Sequence, residues 1–296
     1  MKPLKGIAGQ SSLIGKICLF ILILVITTFL AIGLWAVIYR GDQSTDSLKV
    51  MQMLQTIGTF LLPCFIGAYL WSSRPAQWLQ LHKGIRWQDA LLVIVLMLCA
   101  APGINLLAYF NEQLALPSFL KPLEEMMKQQ EEAAAQLTER FIRADSIGVL
   151  LYNIFLIALL PAFSEELCFR GTLQTLFAEN GRNKHIAIWV SAILFSAIHF
   201  QFYGFVPRML LGALFGYMLA WSGSLWLAVL AHFTNNLTAV VSYNIFYMRG
   251  LNVDEIDTLG TGDSLWIGIV SLVLTGGIIY LLRRSLTMSN ASSRMS

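Results

Sequence analysis

Charged side chains are scarce in this sequence. They make up 12% of the 296 residues, whereas 56% of the residues are hydrophobic. Soluble globular domains carry about 25% charged residues, so this composition excludes an ordinary soluble protein. Apolar runs of about 20 residues, the length that a helix needs to cross a bilayer, recur along the chain. A transmembrane β-barrel is excluded because its strands are short and alternating. The sequence therefore predicts an all-α fold, a polytopic membrane helical bundle.

Cysteine is also rare, and the net charge is low. The chain has four cysteines, none at C-x-x-C spacing from another, which excludes a disulfide framework and a thiolate metal site. The net charge of +3 is small and spread along the chain, so no nucleic-acid partner is expected. The partner that the composition does predict is the lipid bilayer.

Eight apolar segments are predicted to cross the membrane. They lie at roughly 15–39, 52–72, 88–109, 146–168, 185–203, 205–221, 225–247 and 264–282. The chain then divides into a three-span region, an amphipathic connector, a core with the polar motifs, and a last span with a disordered tail. These parts are residues 1–110, 111–145, 146–247 and 248–296.

Lysine and arginine are more frequent in the loops on one side of this predicted bundle. Cytoplasmic loops carry the excess of these residues in membrane proteins, so we expect both termini to be cytoplasmic. The short connections between spans favour a bacterial protein. The sequence therefore predicts a multi-pass protein of a bacterial inner membrane.

The connector contains a long polar helix at 117–145. Apolar residues recur at helical spacing, and Glu124–Lys128 and Glu139–Arg143 stand four residues apart, as in helical ion pairs. A lid or substrate guide is one interpretation, and a helix packed on the bundle is the simpler one. Further along, Arg208, Gly212 and Gly216 share a helix face, and this spacing favours close packing between spans.

Ionisable residues are rare inside membranes and usually have a partner or a function there. The stretch "PAFSEELCFRG" places Glu165, Glu166 and Arg170 at the end of an apolar run. Glu166 and Arg170 are four residues apart, which predicts a helical ion pair. Glu165 points about 100° away from Glu166 and has no such partner. The cluster predicts one structural and one available carboxylate, although alone it also fits an interfacial charge cluster.

Two further polar clusters follow. His199 lies in the apolar stretch "FSAIHF", where a lone histidine is usually a core residue with satisfied hydrogen bonds. His232 and Asn236 share a helix face in "AHFTNN", where they fit an interhelical hydrogen bond. The turn "NGRNK" at 180–184 predicts an antiparallel hairpin that sets Glu165 opposite His199. A carboxylate, imidazoles and a carboxamide in one cavity form a hydrolytic set.

The three clusters resemble the motifs of the CPBP family of intramembrane proteases, which includes the CAAX prenyl endopeptidases. Glu-Glu-x-x-x-Arg, Phe-x-x-x-His and His-x-x-x-Asn occur here in order, on three predicted spans. They begin at Glu165, Phe195 and His232 and end at Arg170, His199 and Asn236. The resemblance covers about 145–245 and implies a peptidase that hydrolyses a membrane-associated protein or peptide substrate.

The same resemblance implies a role for each motif residue. Glu165 and His199 would activate the hydrolytic water. His232 and Asn236 would stabilise the tetrahedral intermediate, while Glu166 and Arg170 would hold the site together.

Cofactor dependence stays open at this point. A catalytic zinc needs three protein ligands and a water, and Glu165, His199 and His232 would meet that count. No H-E-x-x-H motif is present, however, and Glu165 is poorly suited to act both as ligand and as general base. We therefore expect no obligatory cofactor, with zinc as the alternative.

Two other functional classes fit a polar cluster in a membrane. The first is a non-proteolytic scaffold or regulator that keeps the cluster for structural reasons. The second is a solute or proton-coupled transporter, because buried carboxylates and histidines also form relays. Transporters often show inverted repeats, and no internal repeat is evident in this sequence.

Overall fold

The computed structural model describes residues 4–114 and 116–292. Nine principal helices and no strand occur among these residues. In chain order they are α1 Leu13–Tyr39, α2 Thr45–Trp71, α3 Trp87–Glu112, α4 Lys121–Ile142, α5 Ile147–Ala178, α6 Lys184–Ala197, α7 Phe205–Ser222, α8 Leu225–Met248 and α9 Leu265–Ser292. Short helical turns stand at Pro75–Trp78, Ser118–Leu120, Glu179–Gly181, Asp254–Thr258 and Gly262–Ser264. The predicted all-α class is confirmed.

Seven of these helices are long and apolar enough to cross a membrane, among the residues described. The prediction of eight spans was therefore wrong by one. The segment at 185–203 forms α6, which has 14 residues and is too short to cross alone. It ends because the chain turns at Phe200, whose φ of 52° is left-handed. The chain is a multi-pass integral membrane protein.

Contacts between helix ends define two faces of the bundle. On one face, Lys16 near the start of α1 binds Glu179 at 2.7 Å, and Arg86 before α3 donates to the Ser285 hydroxyl at 2.8 Å. On the other face, Asn111 at the end of α3 donates to the carbonyl of Phe202 at 2.7 Å. The beginning of α1 and the end of α9 therefore lie on the same face, because short α6 and the connection 198–204 together carry the chain from one face to the other.

The predicted hairpin between α5 and α6 is present. Ser191 donates to the carbonyl of Phe169 at 2.7 Å, and the rings of Phe169 and Phe195 meet edge to face at 5.2 Å. Short α6 thus returns along the second half of α5. The connection 198–204 then carries the chain over to α7 at the opposite face.

Helix α5 contains two π-helical turns, at Ile154–Leu159 and Leu167–Gln174, on either side of the acidic pair. In the second turn the Thr172 hydroxyl donates to the carbonyl of Leu167, five residues earlier, at 3.0 Å. Such turns widen the helix and often occur at functional sites. Here they change the angular position of the residues that follow Glu166.

The connector helix α4 lies at the face that holds residues 199–204. At its end Phe141 and Ile142 are buried, and the Ile142 carbonyl accepts from the side chains of Asn153 and Asn244, each at 3.0 Å. Most of the rest of α4 is exposed. Packing on the bundle, the simpler of the two interpretations, therefore applies to the C-terminal end of α4.

The glycines of α7 permit close approach to α5, as predicted. A Cβ on Gly212 would lie 2.8 Å from Nη2 of Arg170, and one on Gly216 would lie 2.6 Å from Oε1 of Gln174.

The tail at 285–296 was predicted to be disordered, but residues 285–292 continue α9 because their sequence has no helix breaker. Residues 293–296 lie outside the described part of the chain.

The contact between α1 and α2 provides a stability test at Gly58. A Cβ there would lie 2.7 Å from both the Ala31 Cβ and the Thr27 carbonyl oxygen, whereas one on Gly33 of α1 would meet nothing within 4 Å. Because overpacking costs about 1–3 kcal/mol, Gly58→Ala should lower the free energy of unfolding by about that amount. Unfolding in detergent measures it. The control Gly33→Ala should be neutral or stabilising, and equal stability of the two variants would contradict the packing.

Candidate active site

A cavity of about 370 Å³ opens between α5, α7, α8 and the end of α6. It collects all four residues that the sequence predicted as catalytic, and adds polar groups that it did not. Its polar lining consists of Glu165, His199, Arg208, His232, Asn235 and Asn236. Apolar side chains, among them Phe195 and Phe215, complete the wall. The three motifs therefore meet in space.

The predicted ion pair of Glu166 and Arg170 is present beneath this cavity. Arg170 Nη1 lies 2.6 Å from Glu166 Oε1, and both side chains are fully buried. The Arg170 Nε and Nη2 atoms have no acceptor among the described residues. Instead, the guanidinium lies over the ring of Phe195, 4.4 Å from its centroid, where cation–π attraction offsets part of the desolvation cost.

His232 is held between the two glutamates. Its Nδ1 lies 2.9 Å from Glu166 Oε1, and its Nε2 lies 3.9 Å from Glu165 Oε2. A carboxylate oxygen can only accept, so Nδ1 carries the hydrogen and the neutral imidazole presents the Nε2 lone pair towards Glu165. Glu166 thus fixes the tautomer and the orientation of His232, a role that the sequence did not indicate.

His199 is oriented in a similar way by its own helix. Its Nδ1 lies 2.8 Å from the carbonyl oxygen of Phe195. Because that carbonyl accepts, Nδ1 donates and the Nε2 lone pair is left for the cavity. The Phe195 ring packs edge to face on both imidazoles, with centroid distances of 5.3 Å to His199 and 5.9 Å to His232. The spacing of one helical turn between Phe195 and His199 thus places the backbone and the ring of Phe195 against the site.

Asn236 lies one turn after His232 on α8, as predicted. Its Nδ2 donates weakly to the Ile157 carbonyl at 3.4 Å, and its Oδ1 accepts from Asn235 Nδ2 at 3.3 Å. The amide group is therefore oriented at the cavity wall with one hydrogen on Nδ2 still available.

Sequence reasoning missed two features of the site. Phe215 stacks on His232 with a centroid distance of 5.5 Å and an interplanar angle of 22°, which no sequence pattern indicated. Arg208 was assigned to helix packing because of its spacing from Gly212. The charge of Arg208 would have indicated a role beyond the packing of the glycines, because a guanidinium in a membrane helix needs a partner.

The alternative zinc site does not fit the observed arrangement. Among the residues that the structure describes, no group of three or more His, Cys, Asp or Glu side chains is placed to hold a metal ion. Glu165, His199 and His232 share the cavity, but they do not form the three-ligand set that a catalytic zinc requires.

Comparison with known proteins agrees with the motifs. Residues 147–238 match the family model described as type II CAAX prenyl endopeptidase Rce1-like. This segment is similar to the Rce1-like family. It contains α6, α7 and all six polar motif residues from Glu165 to Asn236, so the resemblance inferred from the sequence is confirmed. The Rce1-like match supports a peptidase.

One relative from a bacterium is similar to part of the chain. A protein of Bacillus subtilis (strain 168) named "Uncharacterized protein YpbD" is 35% identical over 107 residues, which are 35% of this chain and 52% of the relative. The chain therefore spans about half of the length of that relative. No solved structure matches the chain.

The buried ion pair makes a prediction about stability. Glu166→Gln leaves the Arg170 guanidinium without a counter-charge, and breaking a buried pair costs about 3–5 kcal/mol, so unfolding in detergent should occur much earlier. Glu165→Gln is the matched control, because this neighbouring carboxylate forms no ion pair with an arginine among the described residues. Its cost should be about 1 kcal/mol or less. Equal losses in the two variants would refute the division of roles.

Proposed function

We propose that this protein is an intramembrane endopeptidase. It hydrolyses a peptide bond in a membrane-associated protein or peptide through water activated by Glu165 and His199. The observation that carries the proposal is the convergence of three proton acceptors on one cavity: the Glu165 carboxylate and the Nε2 atoms of His199 and His232. The Glu165 side chain is 15% exposed, which leaves it accessible to water.

The separation between Glu165 and His232 favours a bridging water. Their nearest atoms are 3.9 Å apart, too far for a hydrogen bond but close enough for one water to bond both. In the proposed step, Nε2 of His199 orients the water, the water oxygen attacks the scissile carbonyl carbon, and one water proton passes to the Glu165 carboxylate. Glu165 then returns the proton to the leaving nitrogen as the carbon–nitrogen bond breaks.

The oxyanion of the tetrahedral intermediate needs donors. Asn236 has a free Nδ2 hydrogen and is the first candidate. His232 donates from Nε2 only as an imidazolium, because Nδ1–H is committed to Glu166. Glu166 and Arg170 act as positioning residues, which hold His232 and Phe195 without touching substrate.

We further propose that residues 146–247 form the catalytic core and that the protein acts in a bacterial inner membrane. The bacterial relative and the excess of Lys and Arg on one side of the bundle support this. The common face of the ends of α1 and α9, marked by Lys16 and Arg86, is then the cytoplasmic face.

Hydrolysis by the purified protein tests the role of Glu165. The probe is a fluorescence-quenched peptide with a prenylated cysteine in a C-terminal CAAX sequence, the substrate class in the description of the matching family. Glu165→Gln should lower kcat by about 10²–10⁴ because the general base is lost. Asn236→Ala should lower kcat by about 10²–10³ because an oxyanion donor is lost.

The control for this assay is Glu255→Gln, which changes an exposed carboxylate outside the cavity and should leave kcat unchanged. Full activity of a folded Glu165→Gln or His199→Ala protein would reject the proposed roles. If the wild-type protein cleaves nothing and both variants retain the cellular function of the protein, the scaffold hypothesis is correct instead.

Zinc content provides a separate test. Because Glu165, His199 and His232 are not arranged as a three-ligand site, the purified protein should contain less than stoichiometric zinc by elemental analysis. Peptide cleavage should persist after treatment with a chelator. Stoichiometric zinc that is removed together with the activity, and restores it when added back, would overturn this expectation.

A further inference from the structure

One cation of the cavity has no role in the hydrolysis described above. Arg208 lies in the first turn of α7, and its guanidinium lines the same cavity as Glu165 and His199. It differs from Arg170, which lies fully buried beneath the cavity and is paired with Glu166. Arg208 therefore faces the space that a substrate would occupy.

The hydrogen bonds of Arg208 are incomplete. Its Nη2 donates to the neutral amide oxygen Oε1 of Gln201 at 2.6 Å. Its Nη1 is buried and has no acceptor among the described residues. Buried donors in proteins are nearly always satisfied, and an arginine has five hydrogens to place. The guanidinium of Arg208 thus has a donor for which the described residues supply no acceptor.

The charge of Arg208 is also not neutralised by contact. The carboxylates of Glu131 and Glu165 act on it electrostatically, but in the described part of the chain neither forms an ion pair with it. A side chain on residue 204 would interfere with the guanidinium, since a Cβ on Gly204 would lie 2.7 Å from Nη2. A desolvated cation in a membrane protein is costly unless it is paired or used. This arrangement fits an anion that arrives with the substrate.

We propose that Arg208 is a specificity-determining residue whose guanidinium binds a carboxylate of the peptide substrate. This inference rests on the proposed peptidase function. A guanidinium matches a carboxylate in shape and charge, and a single negative charge is balanced by a single cation. A dianionic phosphate would leave excess negative charge beside Glu165. Since Arg208 and Glu165 share one cavity, the scissile bond must lie within a few residues of that carboxylate.

The carboxylate has two possible sources, the C-terminus of the peptide or an acidic side chain. Three apolar probes distinguish them, each measured by titration calorimetry with the full-length protein in detergent. They are N-acetyl-trileucine as the free acid, the same peptide as its C-terminal amide, and N-acetyl-Leu-Glu-Leu amide. Equilibrium binding needs no turnover, so failure here is distinguishable from failure of the cleavage assay.

The free acid should bind the wild-type protein about tenfold or more tightly than the amide, as one hydrogen bond between charged groups predicts. Arg208→Gln should remove this preference, and Arg208→Lys should retain part of it. Arg249→Gln, which changes an exposed arginine at the end of α8, is the matched control and should leave it intact. Tighter binding of the glutamate peptide alone would assign the anion to a side chain.

Several results would overturn the proposal. They are equal binding of all three probes, no binding of either acidic probe, or an acid preference that persists in Arg208→Gln. Melting curves establish that each variant is folded. If Arg208→Gln is unfolded, Arg208→Lys decides, because an unchanged acid preference in that variant means that the planar guanidinium fork does not select the carboxylate.

Discussion

The buried contact between Glu166 and Arg170 is the interaction on which the site depends. It places two opposite charges where neither side chain touches solvent. The desolvation free energy of such a pair is offset only by good geometry and further hydrogen bonds. The same Glu166 oxygen also binds Nδ1 of His232, and Arg170 lies against the ring of Phe195. Three helices, α5, α6 and α8, are therefore fixed to one another through two charged side chains. The orientation of both imidazoles follows from that contact.

The fold was predictable wherever length and hydropathy determine it. Long apolar runs such as Leu13–Tyr39 can only be membrane helices. The error at 185–203 arose because hydropathy measures how apolar a segment is and not where its helix ends. Phe200 is an apolar residue without special turn propensity, yet it adopts a left-handed φ of 52° where the chain bends towards α7. Tertiary contacts stabilise that turn, and no local sequence pattern predicts it.

The site was predictable in part for a related reason. The pairing of Glu166 with Arg170 is a local property of helix spacing, so the sequence indicated it. The contact of Glu166 with His232 joins α5 to α8 across 66 residues of chain, so it depends on helix packing that local spacing does not indicate. Arg208 shows what residue spacing alone does not indicate. Its spacing from Gly212 correctly indicated close packing, but spacing does not reveal that the guanidinium binds Gln201 and that Arg208 lines the cavity.

The shortness of α6 affects how water reaches the cavity. Hydrolysis consumes water, and hydrocarbon is a poor source of it. Because α6 stops at Ala197 and residues 201–204 are only half-buried, polar backbone and the Gln201 amide replace the turns of apolar helix that would otherwise seal this side. The cavity that His199 lines is therefore bordered at this face by half-buried polar backbone and not by an apolar helix. In the proposed hydrolysis, water then approaches from this face without crossing hydrocarbon.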